Sequence, residues 1–136
     1  MSEQLIALLV HDRPDAFADL ARALKDMLVE TYSAATCQDA RELITAYKPH
    51  LIFTETFLRD GSWMSFLDMA AAAKVPLNVI VVGTITNIHT YVSVIDCGAF
   101  DFIAPPFDLE SLEFVVHLAE KDVRHRREAA GIPVGA

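Results

Sequence analysis

The amino-acid sequence predicts an α/β fold built on a five-stranded, doubly wound parallel sheet, and two features of the chain indicate it. Short apolar runs alternate five times with segments of helical periodicity, and the links between them are short. Strands that are apolar on both faces are typical of parallel sheets, which helices cover on each side. The apolar runs also end in polar or turn residues, which indicates a cleft at the carboxyl edge of the sheet.

The strands are predicted from composition and from the residues that follow each run. Uninterrupted apolar runs of four to six residues are too short for helices of their own and suit strands buried on both faces. The third strand leads directly into Glu55, and an Asp-Gly turn follows at residues 60–61. The predicted strands span residues 5–10, 30–36, 50–54, 79–82 and 100–103.

The helices are predicted from apolar residues that recur at intervals of three and four. They span residues 14–28, 39–47, 64–73, 86–97 and 108–127. Asp39 and Asp108 are the predicted N-caps of two of these helices, and Gly98 stands at a helix C-terminus. Right-handed crossovers then give a flavodoxin-like sheet with its cleft beside the first strand. We expect a single domain over residues 1–128 and a disordered tail or linker over 129–136.

The composition favours an ordinary cytoplasmic protein. No apolar run among the 136 residues approaches the ~20 residues of a membrane-spanning helix. The amino terminus lacks the basic start and the cleavage site of a secretory signal. Cys37 and Cys97 lie outside any metal-binding spacing, so we expect both to be buried or half-buried packing residues.

The charge of the chain argues against nucleic acid as a partner. The formal net charge is −8, and residues 1–120 carry 7 Lys and Arg against 17 Asp and Glu. Such an acidic body repels a phosphate backbone. A basic cluster follows at Lys121, Arg124, Arg126 and Arg127. Two interpretations are open for this cluster: a contact with phosphates, or the solvated end of a helix whose dipole favours cations.

Three segments give the chain a resemblance to a known family. They are Val10-His-Asp-Arg-Pro14, the stretch from Pro49 through Thr54-Glu55 to Asp60-Gly61, and Gly98-Ala-Phe-Asp-Phe-Ile-Ala-Pro-Pro-Phe107. In this order and spacing, residues 5 to about 125 resemble the receiver domains of two-component response regulators. The resemblance implies the same flavodoxin-like fold and a role in signal transduction.

The resemblance also assigns roles to six positions. In such domains the residue at position 55 is an Asp that accepts a phosphoryl group, and acids at positions 11 and 12 hold Mg²⁺. A Thr or Ser at position 83 and a Lys at position 105 bind phosphoryl oxygens, and an aromatic residue at position 102 switches with the state. This chain has His11, Asp12, Glu55, Gly83, Phe102 and Pro105 at these positions. Asp12 and Phe102 match the family, and the other four residues depart from it.

Each departure removes a part of phosphoryl-transfer chemistry, which depends on positioning and charge neutralisation. The extra methylene of Glu55 moves the nucleophilic oxygen by about 1 Å, a misplacement that can cost a hundredfold in rate. Pro105 supplies neither the ammonium group nor a backbone donor. Gly83 lacks a hydroxyl group, although neighbouring Thr84 offers one if the strand end shifts by a residue. His11 removes one oxygen ligand of the metal.

Other candidate residues keep two interpretations each. His11 is either a strand-end histidine hydrogen-bonded to Asp12 or Glu55, or a pH-sensitive element of the pocket. A buried pair of Asp12 and Glu55 would raise one carboxyl pKa, which a nearby His11 would oppose. Phe102 is either a core residue or a switch, and Trp63 either covers the cleft or contacts a partner.

We therefore predict a non-enzymatic, degenerate pseudo-receiver that acts by protein–protein interaction, without the usual phosphorylation and without a cofactor. The alternative is a conventional response regulator, which a histidine kinase phosphorylates at Glu55 or at Asp60. An enzyme or flavin carrier is disfavoured, because no Gly-rich or Ser/Thr-rich phosphate loop follows the first strand.

We further expect weak Mg²⁺ binding, with Asp12 and Glu55 as its only candidate ligands. Predicted partners are a histidine kinase or an output protein, with no nucleic acid and no membrane. A weak homodimer is predicted through residues 86–97 and 101–127, a face expected to present Tyr91, Val94 and His117.

Overall fold

The computed structural model describes residues 4–84 and 88–132, and for residues 14–16 and 88 it describes the backbone alone. The strands are β1 (Ile6–Val10), β2 (Glu30–Ala34), β3 (Leu51–Glu55), β4 (Phe57–Leu58), β5 (Gly61–Ser62), β6 (Asn78–Val82) and β7 (Asp101–Ile103). The helices are α1 (Pro14–Asp26), α2 (Cys37–Tyr47), α3 (Trp63–Ala72), α4 (Ile88–Asp96) and α5 (Leu109–Ala129).

Five parallel strands form the central sheet, in the order β2-β1-β3-β6-β7. The register places Val10 of β1 beside both Ala34 of β2 and Thr54 of β3. This arrangement confirms the predicted five-stranded, doubly wound parallel sheet. The sequence did not predict β4 and β5, which form an antiparallel ribbon between β3 and α3 with two residues in each strand.

The core lies on both faces of the sheet, because the side chains of β1 alternate between them. Ala7 and Leu9 pack on one face, in a cluster that includes residues of α1 and α5. Leu8 and Val10 pack on the other face, with residues of α2 and α3. All four are nearly or completely buried, as expected for a strand with helices on each side.

Of the three predicted helix caps, the position of Asp39 is corrected and the positions of Asp108 and Gly98 are confirmed. Thr36, not Asp39, is the N-cap of α2, and its side chain accepts a hydrogen bond from the Asp39 amide at 3.1 Å. Asp108 precedes α5 as predicted, but its carboxylate accepts from the Ser111 hydroxyl at 2.7 Å and bonds no backbone amide. Gly98 has φ of 109°, and its amide donates to Ile95 O at 3.0 Å, which confirms its role after α4.

Helix α5 extends two residues beyond its predicted end at residue 127. Ala129 is the last residue of α5, and the next residues close the helix through backbone bonds from Gly131 to Glu128 and from Ile132 to Arg127. The disordered tail or linker expected over residues 129–136 stays a prediction. Residues 133–136, like the predicted start of α4 at residues 86–87, lie outside the described residues.

The end of α5 is fixed to the amino edge of the sheet by Arg127, whose side chain is 5% exposed. Its guanidinium donates to three backbone carbonyls, those of Pro76 (2.8 Å), Lys48 (3.0 Å) and Pro49 (2.9 Å). The interpretation of the basic cluster as a solvated helix end is therefore wrong for this residue.

Two other arginines of the basic cluster pair with carboxylates one turn earlier on α5. Arg124 contacts Glu120 at 2.9 Å, and Arg126 contacts Asp122 at 3.0 Å. The positive charge of the cluster is thus largely balanced within the helix, which leaves a weak site for a phosphate backbone.

The two cysteines differ in environment. Cys37 is buried among residues of α2 and α3, whereas Cys97 is exposed, so the packing role predicted for Cys97 is wrong. Within the part of the chain that the structure describes, no helix is both long and apolar enough to cross a membrane.

Candidate functional site

A cleft of about 620 Å³ opens at the carboxyl edge of the sheet, where the predicted site was placed. The ends of β1, β3, β6 and β7 meet there, so residues distant in sequence come together. The cleft is lined by Asp12, Arg13, Phe17, Glu55, Thr56, Phe57, Leu58, Arg59, Val82, Gly83, Thr84 and Pro105. Five of the seven predicted site residues are in this lining, and His11 and Phe102 are outside it.

Glu55 ends β3 and lies half-buried in the cleft. Its Oε2 atom accepts a hydrogen bond from the Asp12 amide at 3.1 Å, which joins the ends of β1 and β3. Burial raises the pKa of the Glu55 carboxyl, and the neighbouring Asp12 carboxyl adds to this effect. The Asp12 amide and the Arg13 charge lower the same pKa. The groups that oppose the rise are therefore the Asp12 amide and Arg13, where the sequence had suggested His11.

His11 lies on the other side of the strand end. Its ring stacks on Phe17, with centroids 4.6 Å apart, because it continues the alternation that places Ala7 and Leu9 on the α1 and α5 face. The predicted hydrogen bond to Asp12 or Glu55 is absent, and Nδ1 is buried without a bonding partner among the described residues. Burial lowers the pKa of His11, which favours a neutral ring.

Gly83 follows β6, and the space beside it is already filled. A Cβ atom at this position would lie 2.6 Å from Thr56 Oγ1 and 3.4 Å from Phe102 Cζ. Phe102 itself is 4% exposed, and its ring lies 6.3 Å from that of Tyr91. Phe102 is thus packed inward. A hydroxyl side chain at position 83 would project next to its ring.

Trp63 belongs to the same buried cluster as Phe102. It is 9% exposed and packs with Val81 and Val94, and its amide donates to Thr56 O at 3.1 Å. Both predicted roles, a cover on the cleft and a partner contact, are therefore wrong. An indole placed at the first position of α3, after a short ribbon, points into the core.

Asp60 has a structural role at the tip of the β4–β5 ribbon. Its two carboxylate oxygens accept hydrogen bonds from the amides of Cys37 (2.8 Å) and Gln38 (3.1 Å). The Asp60 carboxylate thereby satisfies two free amides at the N-terminus of α2. The bond from the Cys37 amide is the main reason why the pKa of Asp60 is lowered. Asp60 therefore faces α2 and does not line the cleft.

Two exposed arginines in the cleft were not singled out from the sequence. Arg13 follows Asp12 directly, and Arg59 is in the loop after Glu55, so both positions were visible as cations beside predicted site residues. They bring positive charge to a cleft that has no Lys at position 105. The formal charges of the two carboxylates and the two guanidinium groups sum to zero.

The residues of the cleft do not fit a Mg²⁺ ion well. This cation prefers six oxygen ligands in near-octahedral geometry. Asp12 and Glu55 are the carboxylates in the lining, and one oxygen of Glu55 already accepts from an amide. Among the described residues, no three His, Cys, Asp or Glu side chains are grouped as a metal site would require.

Comparison with known proteins gives a consistent result. The family model described as the response regulator receiver domain matches residues 7–117. The nitrogen assimilation regulatory protein NtrX of Azorhizobium caulinodans is 35% identical in an alignment of 128 positions that covers 89% of this chain. The response regulator protein PilR of Pseudomonas aeruginosa is 31% identical over 113 residues, or 83% of the chain.

The chain spans about a quarter of the length of these relatives, 27% of NtrX and 25% of PilR. Among solved structures, NtrX from Brucella abortus superposes with a TM-score of 0.81 and 28% identity. That alignment covers 95% of this chain and 29% of the other. A two-component response regulator from Clostridium difficile shares the fold, with a TM-score of 0.75 and 22% identity over 87% of this chain and 97% of that one.

Proposed function

We propose that this chain, which belongs to the response regulator receiver domain family, is a cytoplasmic pseudo-receiver that signals through protein contacts without the usual phosphorylation. The observation that carries the proposal is the content of the cleft. Glu55 stands at the acceptor position, Gly83 has no hydroxyl group, and Pro105 has no cation. The proposal includes no catalytic step.

The geometry around Gly83 gives the proposal its main support. A receiver that responds to a phosphoryl group needs a side chain at this position to bind a phosphoryl oxygen, as the family pattern implies. Here Thr56 Oγ1 and the ring of Phe102 occupy the space around a Cβ atom at position 83. Phe102 is 4% exposed and packs with Trp63 and Val94, so the proposed role of this residue is to hold one fixed conformation.

The proposed partners are a histidine kinase or an output protein, together with a second copy of the chain. The dimer face is composed differently from its prediction, because Val94 is completely buried and His117 points toward α1. Its exposed apolar residues are instead Val92 (46%) on α4 and Phe114 (64%) and Leu118 (41%) on α5. These side chains support a weak homodimer through α4, β7 and α5.

A conventional receiver remains the second candidate, because two arginines and a hydroxyl group lie in the cleft. Arg13 and Arg59 offer positive charge, and Thr84 offers a hydroxyl group one residue beyond Gly83. In this case Glu55 would be the acceptor, since both carboxylate oxygens of Asp60 bond the start of α2.

Incubation with acetyl phosphate and Mg²⁺, followed by intact mass spectrometry, separates the two candidates. A receiver with Asp and Lys at the positions of Glu55 and Pro105 serves as the positive control. We expect the control to gain the mass of one phosphoryl group and this chain to stay unmodified. An adduct on this chain that Glu55→Gln removes would establish the conventional function instead.

A further inference from the structure

A second groove, outside the cleft, runs between the end of α1 and α5, with a volume of about 650 Å³. Its floor is apolar and buried, formed by Leu5, Val29 and Val116. Leu28 and Leu109 stand at its rim, 80% and 51% exposed. Leu5 precedes β1, so this end of the groove is at the amino edge of the sheet, opposite the cleft.

Leu28 is in an unusual backbone conformation for its residue type. It follows the C-cap of α1 with φ of 63°, and the helix closes through bonds from Leu28 to Lys25 and from Val29 to Leu24, each 2.9 Å. This closing motif favours Gly at the position of Leu28, because a side chain is strained there. The chain thus presents a leucine to solvent at a position where glycine would be more stable.

The charge at the groove selects one kind of occupant. Asp26 and Glu113 line it, and neither carboxylate forms a hydrogen bond or an ion pair with another residue that the structure describes. These two carboxylates belong to a chain whose net charge is −8. Nucleic acid and anionic membrane surfaces are repelled by such a surface, whereas a cationic polypeptide is attracted to it.

We propose that the α1–α5 groove binds a partner segment that places an apolar side chain against Leu28 and Leu109 and a Lys or Arg beside Asp26 or Glu113. The apolar floor and rim supply contact area, and the two carboxylates fix the orientation of the segment. None of these residues lines the cleft, so the interaction is independent of the state of Glu55.

The binding mode can be tested with two synthetic amphipathic helical peptides that share an apolar leucine face. One has lysines and the other has glutamates on the polar face. In ¹H–¹⁵N correlation spectra of the full chain, the lysine peptide should shift the amides of residues 26–29 and 113–120. The glutamate peptide should shift none of them. Shifts centred elsewhere, or equal shifts by both peptides, would refute the proposal.

Two substitutions with matched controls test the contacts. Leu28→Gly relieves the strained conformation, so the fold stays stable while affinity for the lysine peptide falls about tenfold or more, the loss expected from one leucine side chain. Leu118→Ala removes an exposed leucine outside the groove and should leave affinity unchanged.

Glu113→Gln should weaken binding severalfold, while Glu110→Gln, on the same helix outside the groove, should not. Equal effects within either pair would show that general hydrophobicity or general charge, not the groove, binds the peptide.

Discussion

Thr56 and Gly83 compete for one space at the carboxyl edge of the sheet, since a Cβ atom at position 83 would lie 2.6 Å from Thr56 Oγ1. The side chain of Thr56, which projects from the neighbouring strand end, thus occupies space that a side chain at position 83 would need. Thr56 lies one residue after Glu55, so a side chain at position 83 would press on the loop that follows Glu55.

The first prediction follows from this contact. Gly83→Ser should lower the free energy of unfolding by about 1 to 3 kcal/mol, the usual cost of an overpacked site. Thr56→Ala opens the space, so Gly83→Ser in the Thr56→Ala background should cost clearly less. Urea denaturation of the four proteins gives the coupling between the two positions. Additive effects would show that Thr56 does not restrict position 83.

The second prediction concerns the shape and charge of Glu55. Glu55→Gln keeps an oxygen that can accept from the Asp12 amide, so fold and dimer fraction should stay nearly unchanged. Glu55→Ala leaves this amide without its partner and should cost roughly 1 to 3 kcal/mol. Chemical denaturation and sedimentation measure both effects. Loss of the dimer in Glu55→Gln at neutral pH would instead show that the negative charge acts as a phosphoryl mimic.

The third prediction is the pH dependence of the same site. The pKa of Glu55 lies above its usual value of 4.5 in the folded chain, so the folded state binds this proton more tightly than the unfolded state. The stabilisation is complete below pH 4.5 and is lost as the pH rises through the raised pKa. Unfolding free energies in Mg²⁺-free buffer should therefore shift in favour of Glu55→Gln between pH 4.5 and neutrality. A constant difference would contradict the pKa shift.

The sequence predicted the parallel sheet because short uninterrupted apolar runs are easily distinguished from longer segments with helical periodicity. It also placed Asp12, Glu55 and Gly83 together, since parallel strands end at a common edge. It misplaced His11 because the residue after a strand can turn to either face, and here His11 continues the alternation from Leu9.

Other errors arose from contacts between distant segments. The carbonyls that bind Arg127 come from residues 48, 49 and 76, which no local pattern connects to α5. Asp60 is part of a turn in sequence, yet it caps α2 across the fold. The burial of Trp63 and Val94 depends on where their helices begin and on which side faces the sheet. Sequence periodicity gives the start of a helix only to within one or two residues.

The fourth prediction is weak binding of Mg²⁺. The cleft offers two carboxylates beside two arginines, and a hard divalent cation prefers more oxygen ligands than this set supplies. Calorimetric titration should show no saturation in the low-millimolar range. Saturable binding in that range that Asp12→Ala abolishes would refute this prediction, whereas binding that survives Asp12→Ala would come from another acidic part of the surface.

The last prediction concerns self-association through α4, β7 and α5. Phe114, 64% exposed, is the largest of the exposed apolar side chains that the structure describes on α4 and α5, so it should contribute most of the contact area. At about 100 μM, a dimer with Kd of ~10 μM would dominate in sedimentation. Phe114→Ser should shift the protein to monomer, while Phe57→Ser, which removes a 73% exposed aromatic ring at the cleft, should leave the dimer intact. A monomer at this concentration in the unsubstituted chain, or equal loss in both variants, would show that this face is not the dimer interface.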